Sequence, residues 1–150
     1  MPVFRKATVF WEKDLLTGNG RVQFNSSGMP EAKVTWAART DQSDGMTSPE
    51  ELLAAAHASC LSMSLSSTLA KNGFPPKRLA VTAVATFDKV DDKWRVTKMA
   101  LGVSGEIEGI EQAKFEELAK LAKDACPISN ALKNNVEITL TAVLDNKPWM

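Results

Sequence analysis

The chain has 150 residues, of which 44% are hydrophobic and 24% charged, as in an ordinary globular domain with one substantial core. Its 18 basic and 18 acidic residues cancel, so no net charge favours nucleic acid or an anionic membrane as a partner. Residues 1–11 lack the apolar run of a secretory signal, and no stretch resembles a membrane span of about 20 apolar residues, so we expect a single cytoplasmic domain over residues 1–150.

The N-terminal part of the chain predicts an antiparallel meander. Residues 6–12 and 20–25 alternate apolar and polar side chains, and a glycine-containing turn over residues 16–20 joins them. Residues 33–37, KVTWA, are expected to form a third strand. A polar, glycine-containing loop is expected over residues 39–47.

A long helix is predicted in the middle of the chain. Ser48 is a suitable N-cap for a helix that starts at Pro49 and carries two carboxylates in its first turn. The helix should end near Asn72-Gly73, because this pair favours a C-cap and two prolines follow. Residues 52–70 include no carboxylate, lysine or arginine, and many are alanine or serine. We therefore expect a central helix that is buried on most sides and suited to close packing on a partner.

The second half of the chain predicts two strands, two helices and a last strand. Residues 78–87 and 95–106 alternate over long runs, as an antiparallel pair would. Residues 110–124 fit an amphipathic helix, residues 126–132 a short helix opened by Cys-Pro, and residues 136–144 a final strand. This order of elements predicts an α+β fold.

Large apolar side chains are expected to line the core or a pocket wall: Trp11, Trp36 and Trp94 on strands, together with Met63 and Phe74. Trp149, near the C-terminus, is expected to cover a sheet edge.

Cys60 lies in the middle of the long helix. A buried cysteine is an ordinary small core residue, and this interpretation needs no chemistry. A thiol in mid-helix gains nothing from the helix terminus, so a reactive Cys60 would need a nearby cation to stabilise its thiolate.

Cys126 occupies a different electrostatic position. Pro127 at the first helical position makes Cys126 the N-cap of the short helix, where free N–H groups and the helix dipole favour an anion. Cys126 is therefore expected to be the more acidic thiol, which also suits a resolving cysteine. These arguments leave open which of the two cysteines attacks a substrate.

His57 lies three residues before Cys60, on roughly the same helix face. It could act as a base for the thiol, or join Cys60 and Cys126 in a zinc site. The short ligand pairs typical of zinc sites are missing from the sequence, so we expect no metal and interpret His57 as a buried helix residue with a satisfied ring.

Two segments together resemble the OsmC/Ohr family of organic hydroperoxide peroxidases. They are TSPEELLAAAHASCLSMSLSSTLAKNGF, residues 47–74, and ACPISNAL, residues 125–132. The cysteine spacing and the order of elements also fit, and the Ala-His-Ala and CPIS patterns look more like the OsmC branch. The resemblance implies antiparallel sheets packed around a long central helix, in an intertwined homodimer.

The resemblance also implies roles for individual residues. Cys60 matches the family's peroxidatic cysteine, Cys126 the resolving cysteine and Glu50 the catalytic glutamate. The family pairs that glutamate with an arginine. Arg39 resembles the OsmC-branch position and is favoured over Arg21, which resembles the Ohr-branch position.

The implied chemistry is reduction of organic hydroperoxides, alkyl or lipid, without a cofactor. Cys60 would become a sulfenic acid, Cys126 would condense with it to a disulfide, and a dithiol donor, with a lipoyl group as the candidate, would restore both thiols. Two alternatives remain: a dithiol–disulfide oxidoreductase without peroxidase activity, and a lipid-binding module whose cysteines are structural.

Helix geometry adds a constraint on this site. Ten residues on one regular helix separate Glu50 from Cys60 by about 15 Å, which is too far for one arginine-centred site. Either the helix breaks between them, or Glu50 serves the Cys60 of a second subunit. The sequence has no helix breaker there, so we expect a homodimer with shared sites.

Overall fold

The structure of the chain is a computed structural model that describes residues 1–145, so Trp149 lies outside the described residues. The fold is α+β, as predicted, and the described chain forms two compact units, residues 1–52 and the residues from 53 onward. The elements in chain order are β1 (Thr8–Glu12), β2 (Asn19–Gln23), β3 (Ala32–Val34), α1 (Trp36–Thr40), α2 (Pro49–Lys71), β4 (Arg78–Val90), β5 (Lys93–Glu106), α3 (Gln112–Ala125), α4 (Pro127–Leu132) and β6 (Glu137–Leu144).

The first unit contains the predicted antiparallel meander, with strand order β1-β2-β3. Trp11 pairs with Gly20 across β1 and β2. A Cβ atom at residue 20 would lie 2.8 Å from both the Trp11 ring and a Val34 methyl group, so the close packing of these side chains requires glycine.

The prediction for residues 33–47 is wrong in one respect. Strand β3 ends at Val34, because the Thr35 side chain accepts a hydrogen bond of 3.0 Å from the Ala38 N–H and caps a short helix. Trp36 therefore begins α1 instead of extending a strand. Arg39 lies on this helix and not in a loop.

Helix α2 has the predicted bounds. The Ser48 hydroxyl accepts a hydrogen bond of 3.1 Å from the Glu51 N–H at its start. At its end Gly73 has a φ of 87°, and the Phe74 N–H bonds to the Leu69 carbonyl at 2.9 Å, which closes the last turn.

The burial of α2 differs from the prediction. A leucine stripe, Leu61, Leu65 and Leu69, is fully buried in the core of the second unit. The opposite face, expected to be buried, is exposed: Ala55, Ala56, Ser59, Met63, Ser66, Ser67 and Ala70. By length and composition alone α2 could cross a membrane, a test that core helices of water-soluble proteins also pass.

The second unit is built on the sheet β4-β5-β6. Strands β4 and β5 form the predicted antiparallel hairpin, whose turn residues Asp91 and Asp92 have φ values of 49° and 61°. Strand β6 runs parallel to β5, so this sheet is mixed, whereas we expected antiparallel sheets. The reason is the connection between them: α3 and α4 form a crossover long enough to return the chain in the same direction.

The core of the second unit packs α3 and the leucine stripe of α2 against the sheet. Phe115 of α3 and Met99 of β5 are fully buried there, and the partly buried Phe74 packs against this core cluster, as expected. Trp94 and Met63 were expected to line the core or a pocket wall, but both are exposed. Trp94 is 47% exposed, stacked on Phe87, and Met63 is 72% exposed.

Candidate active site

The two cysteines meet in the second unit. Cys60 lies on α2, Cys126 is the N-cap of α4, and their sulfur atoms are 3.1 Å apart with both thiols free. A disulfide bond of about 2.05 Å would require the two sulfur atoms to approach by about 1 Å. Cys60 is partly exposed and Cys126 is fully buried, so Cys60 is the cysteine nearer to solvent.

The surroundings of the two thiols push their acidities apart. Burial raises the pKa of Cys60, more than the Ile128 N–H lowers it. Burial would raise the pKa of Cys126 as well, but the Ser129 N–H, the Cys60 thiol and the Ser129 hydroxyl stabilise its thiolate more strongly, so that its pKa is lowered. Cys126 is therefore the more acidic thiol, as its N-cap position predicts.

Arg39 and Glu50 form an ion pair in the first unit. The Arg39 Nη2 donates to Glu50 Oε1 at 2.7 Å, and its Nε lies 3.1 Å from both carboxylate oxygens. Glu50 is only 8% exposed, and the guanidinium group also lies over the Trp36 ring at 5.8 Å. A buried carboxylate held by a two-pronged arginine keeps its geometry, because side-chain motion would break several bonds at once.

Arg21, the other candidate arginine, has a different partner. Its Nη1 lies 3.0 Å from Glu31, and both side chains are close to half exposed. Of the two arginines, Arg39 is thus the one in contact with Glu50.

An apolar cavity of about 330 Å³ lies beside Arg39 in the first unit. Within residues 1–52, Arg39 is the one charged side chain in its lining, which consists of Val9, Trp11, Leu15, Val22, Val34, Thr35, Trp36, Arg39, Pro49 and Leu52. Trp11 and Trp36 are therefore pocket-lining residues, as expected from the sequence. The cavity combines apolar walls with a cation, the combination that orients an amphipathic ligand.

His57 bonds to a residue that sequence reasoning missed. It is fully buried, and its Nε2 lies 2.7 Å from the Ser129 Oγ. Its Nδ1 has no hydrogen-bond partner among the residues that the structure describes. Burial lowers the pKa of His57, so the ring is neutral at neutral pH. Ser129 is the serine of the CPIS pattern, and that pattern was the signal that could have found it.

Within residues 1–145, no group of three or more His, Cys, Asp or Glu side chains is placed to hold a metal ion.

Helix α2 is unbroken from Pro49 to Lys71, so a helix break between Glu50 and Cys60 is excluded.

Comparisons with known proteins agree on one family. Residues 41–141 match a family model described as OsmC-like protein. The peroxiredoxin OsmC of Escherichia coli (strain K12) is 38% identical over 140 residues, which cover 93% of this chain and 96% of that protein. The organic hydroperoxide resistance protein OhrA of Bacillus subtilis (strain 168) is 31% identical over 104 residues, 68% of this chain and 71% of that protein.

Solved structures show the same fold at lower identity. An organic hydroperoxide resistance protein from Elizabethkingia anophelis superposes with a TM-score of 0.75 at 21% identity, over 97% of this chain and 100% of that one. The protein OhrB of Bacillus subtilis superposes with a TM-score of 0.74 at 20% identity, over 92% of this chain and 98% of that one.

Proposed function

Because the chain belongs to the OsmC-like family, we propose that it is a cysteine-based peroxidase that reduces organic hydroperoxides to alcohols. Its relatives are named as a peroxiredoxin and as organic hydroperoxide resistance proteins. The observation that carries the proposal is the distance of 3.1 Å between the sulfur atoms of a partly exposed and a buried cysteine.

Cys60 is the proposed attacking residue, because it is the more exposed of the two cysteines. Its thiolate attacks the distal oxygen of the hydroperoxide, so that an S–O bond forms as the O–O bond breaks. The alkoxide takes up a proton and leaves as the alcohol, and Cys60 is left as a sulfenic acid.

The Cys60 thiolate requires a cation, since burial raises its pKa. We assign this role to Arg39, oriented by Glu50, on the strength of their ion pair. Glu50 and Cys60 are separated by about 15 Å along one continuous helix, so the Arg39–Glu50 pair of one subunit is proposed to serve the Cys60 of a second subunit. The functional unit is then a homodimer with two equivalent sites.

Cys126 is the proposed resolving residue. Its thiolate attacks the sulfenic sulfur, forming the disulfide and releasing hydroxide, which is protonated to water. A dithiol, with a lipoyl group as the candidate, then reduces the disulfide and is itself oxidised to a disulfide. The cytoplasm maintains thiols in the reduced form from which the cycle starts, and we propose that compartment for the protein.

The apolar cavity beside Arg39 supports an organic substrate. Its aromatic and aliphatic walls would bury an alkyl chain, which hydrogen peroxide lacks. We therefore propose alkyl or lipid hydroperoxides as the substrates.

The test is peroxide consumption with a dithiol donor present in excess. Rapid consumption of an alkyl hydroperoxide, and much slower consumption of hydrogen peroxide, is the expected result. Reduction of a small disulfide without any peroxide consumption would instead identify a dithiol–disulfide oxidoreductase. Thiols that react with neither substrate, in a protein that retains a bound lipid, would identify a binding module.

A further inference from the structure

A chain of four side chains links two helices in the second unit. The Nε2 of His57 lies 2.7 Å from the Ser129 Oγ, and the Cys126 sulfur lies 3.1 Å from that of Cys60. Ser129 is the third residue of α4, whose N-cap is Cys126, so the two side chains are neighbours at the start of this helix, and the Ser129 hydroxyl lowers the pKa of Cys126. His57 and Ser129 are both more than nine-tenths buried, so water does not compete for these bonds. The function proposed above uses the two cysteines and leaves His57 and Ser129 without a role.

Hydrogen counting fixes the direction of the bonds. The Ser129 hydroxyl has one hydrogen, so when it donates to a Cys126 thiolate, the His57 Nε2 must donate to the hydroxyl oxygen. The neutral ring then carries its hydrogen on Nε2 and leaves a lone pair on Nδ1. The other tautomer would bury an N–H at Nδ1 that has no acceptor among the described residues, and such orphaned donors are rare.

We propose that His57 and Ser129 are positioning residues that hold Cys126 as a thiolate, through a relay in which His57 donates to Ser129 and Ser129 donates to Cys126. The inference deepens the proposed function and rests on it. A neutral imidazole contributes a dipole in place of a charge, and each hydrogen bond in such a chain polarises the next.

The relay acts at two steps of the proposed cycle. In disulfide formation it keeps the Cys126 sulfur deprotonated for attack on the Cys60 sulfenic sulfur, with hydroxide leaving. In reduction the dithiol attacks the sulfur of Cys60, the more exposed cysteine, the S–S bond breaks, and the electron pair leaves on Cys126. A sulfur with a lower pKa leaves faster, so Ser129 and His57 direct the dithiol to Cys60.

The first test titrates Cys126 alone, in a Cys60→Ala background, by the ultraviolet absorbance of its thiolate. Ser129→Ala should raise the pKa of Cys126 by about one unit, because a hydrogen bond to an anion is lost. At a pH below that pKa, the population of the Cys126 thiolate then falls about tenfold. Ser64→Ala is the matched control, since it removes a hydroxyl that donates to the Ala122 carbonyl at 2.8 Å in the same unit. An equal shift in both variants, or none in Ser129→Ala, overturns the relay.

The second test asks whether His57 acts through Ser129. His57→Gln places an amide near the position of Nε2, whereas the shorter His57→Asn places it near Nδ1. The relay requires His57→Asn to raise the pKa of Cys126, His57→Gln to restore most of the wild-type value, and His57→Asn to add nothing in the Ser129→Ala background. Additive effects of His57→Asn and Ser129→Ala would mean that His57 acts by another route.

The third test is kinetic and separates this inference from the proposed function. The single turnover with an alkyl hydroperoxide is measured at a pH below the pKa of Cys126 in both the wild type and Ser129→Ala. Under this condition Ser129→Ala should slow disulfide formation about threefold relative to Cys60 oxidation. The thiolate is about tenfold scarcer, but it is more basic and thus more nucleophilic by about threefold. If wild type shows no Cys60 oxidation at all, the proposed function fails, while the titrations still decide the relay. If the ratio of the two rates is unchanged in Ser129→Ala, the relay has no role in resolution.

Discussion

Cys60 and Cys126 differ in the two properties that decide what a thiol does: access and acidity. The partly exposed Cys60 has a raised pKa, and the buried Cys126 has a lowered one. Acidity alone would make Cys126 the nucleophile. We assign attack to Cys60 because a hydroperoxide must reach the sulfur before it can react, and a buried acidic thiol is better suited to resolution and to leaving.

Unequal roles for the cysteines predict unequal phenotypes. Cys60→Ser should abolish peroxide reduction, because the attacking sulfur is gone. Cys126→Ser should allow one turnover and then stop, with Cys60 advancing to sulfinic or sulfonic acid under excess peroxide. Peroxide consumption per subunit and the mass of the Cys60 peptide measure both effects. Activity in Cys60→Ser, with loss of the first turnover in Cys126→Ser, would reverse the assignment.

The choice between the two arginines has its own test. Arg39→Ala should raise the pKa of Cys60 toward or beyond the value of about 8.5 for a free thiol and slow its oxidation at neutral pH. Arg21→Ala is the matched control and should change little, because Arg21 pairs with the exposed Glu31. Arg39→Lys keeps the charge but loses the two-pronged bond to Glu50, so its rate should be intermediate. A slow reaction in Arg21→Ala with a normal one in Arg39→Ala contradicts the assignment.

At the scale of the elements, α3 offers a direct check on the core. Leu118 is 1% exposed and Leu121 is 53% exposed on the same helix. Leu118→Ala should reduce the free energy of unfolding by about 2–5 kcal/mol, through lost burial and the cavity left behind. Leu121→Ala should change it by no more than about 0.5 kcal/mol. Chemical denaturation of both variants measures the difference, and equal losses would mean that α3 packs on another face.

Local sequence signals predicted most of the ends of helices and strands, but they did not predict the parallel pairing of β6 with β5. Ser48-Pro49 and Asn72-Gly73 set the ends of α2 through capping, which depends on neighbouring residues alone. Thr35 was an equally local cap, but alternation in KVTWA concealed it and favoured a longer strand. The parallel register of β6 on β5 depends on where two helices return the chain, which no local pattern encodes.

In the candidate site, too, local features were predictable from the sequence and long-range contacts were not. The N-cap position of Cys126, where an anion is favoured, is indicated by one neighbour, Pro127, and was predictable. The bond between His57 and Ser129 joins residues 72 positions apart, so no local pattern indicates that these two side chains bond to each other. The Arg39 position was favoured through family resemblance, and its contact with Glu50 depends on α1, which the sequence did not predict.

At the scale of the whole molecule, we propose that the site is shared between the two subunits of a dimer. The exposed alanine and serine face of α2 would allow another helix to approach closely. The prediction is that inactive Cys60→Ser subunits and inactive Glu50→Ala subunits complement each other. Each mixed dimer would have one intact site, formed by Glu50 of one subunit and Cys60 of the other.

The complementation is measured as peroxide consumption after subunit exchange. Up to about a quarter of the wild-type activity should return at equal mixing, because half of the dimers are mixed and each has one intact site of two. Cys60→Ser subunits carried through the same exchange without the Glu50→Ala partner provide the control and should remain inactive. A fully active monomer, or no recovery despite demonstrated exchange, would contradict shared sites.

The central claim is that peroxide oxidises Cys60 and that Cys126 captures the product. Its most direct test is mass spectrometry of the reduced protein after one equivalent of an alkyl hydroperoxide. The account predicts a loss of two hydrogens per chain and a single cross-link between the Cys60 and Cys126 peptides. An unmodified protein, or a stable oxygen adduct on Cys126 with Cys60 still reduced, would contradict it.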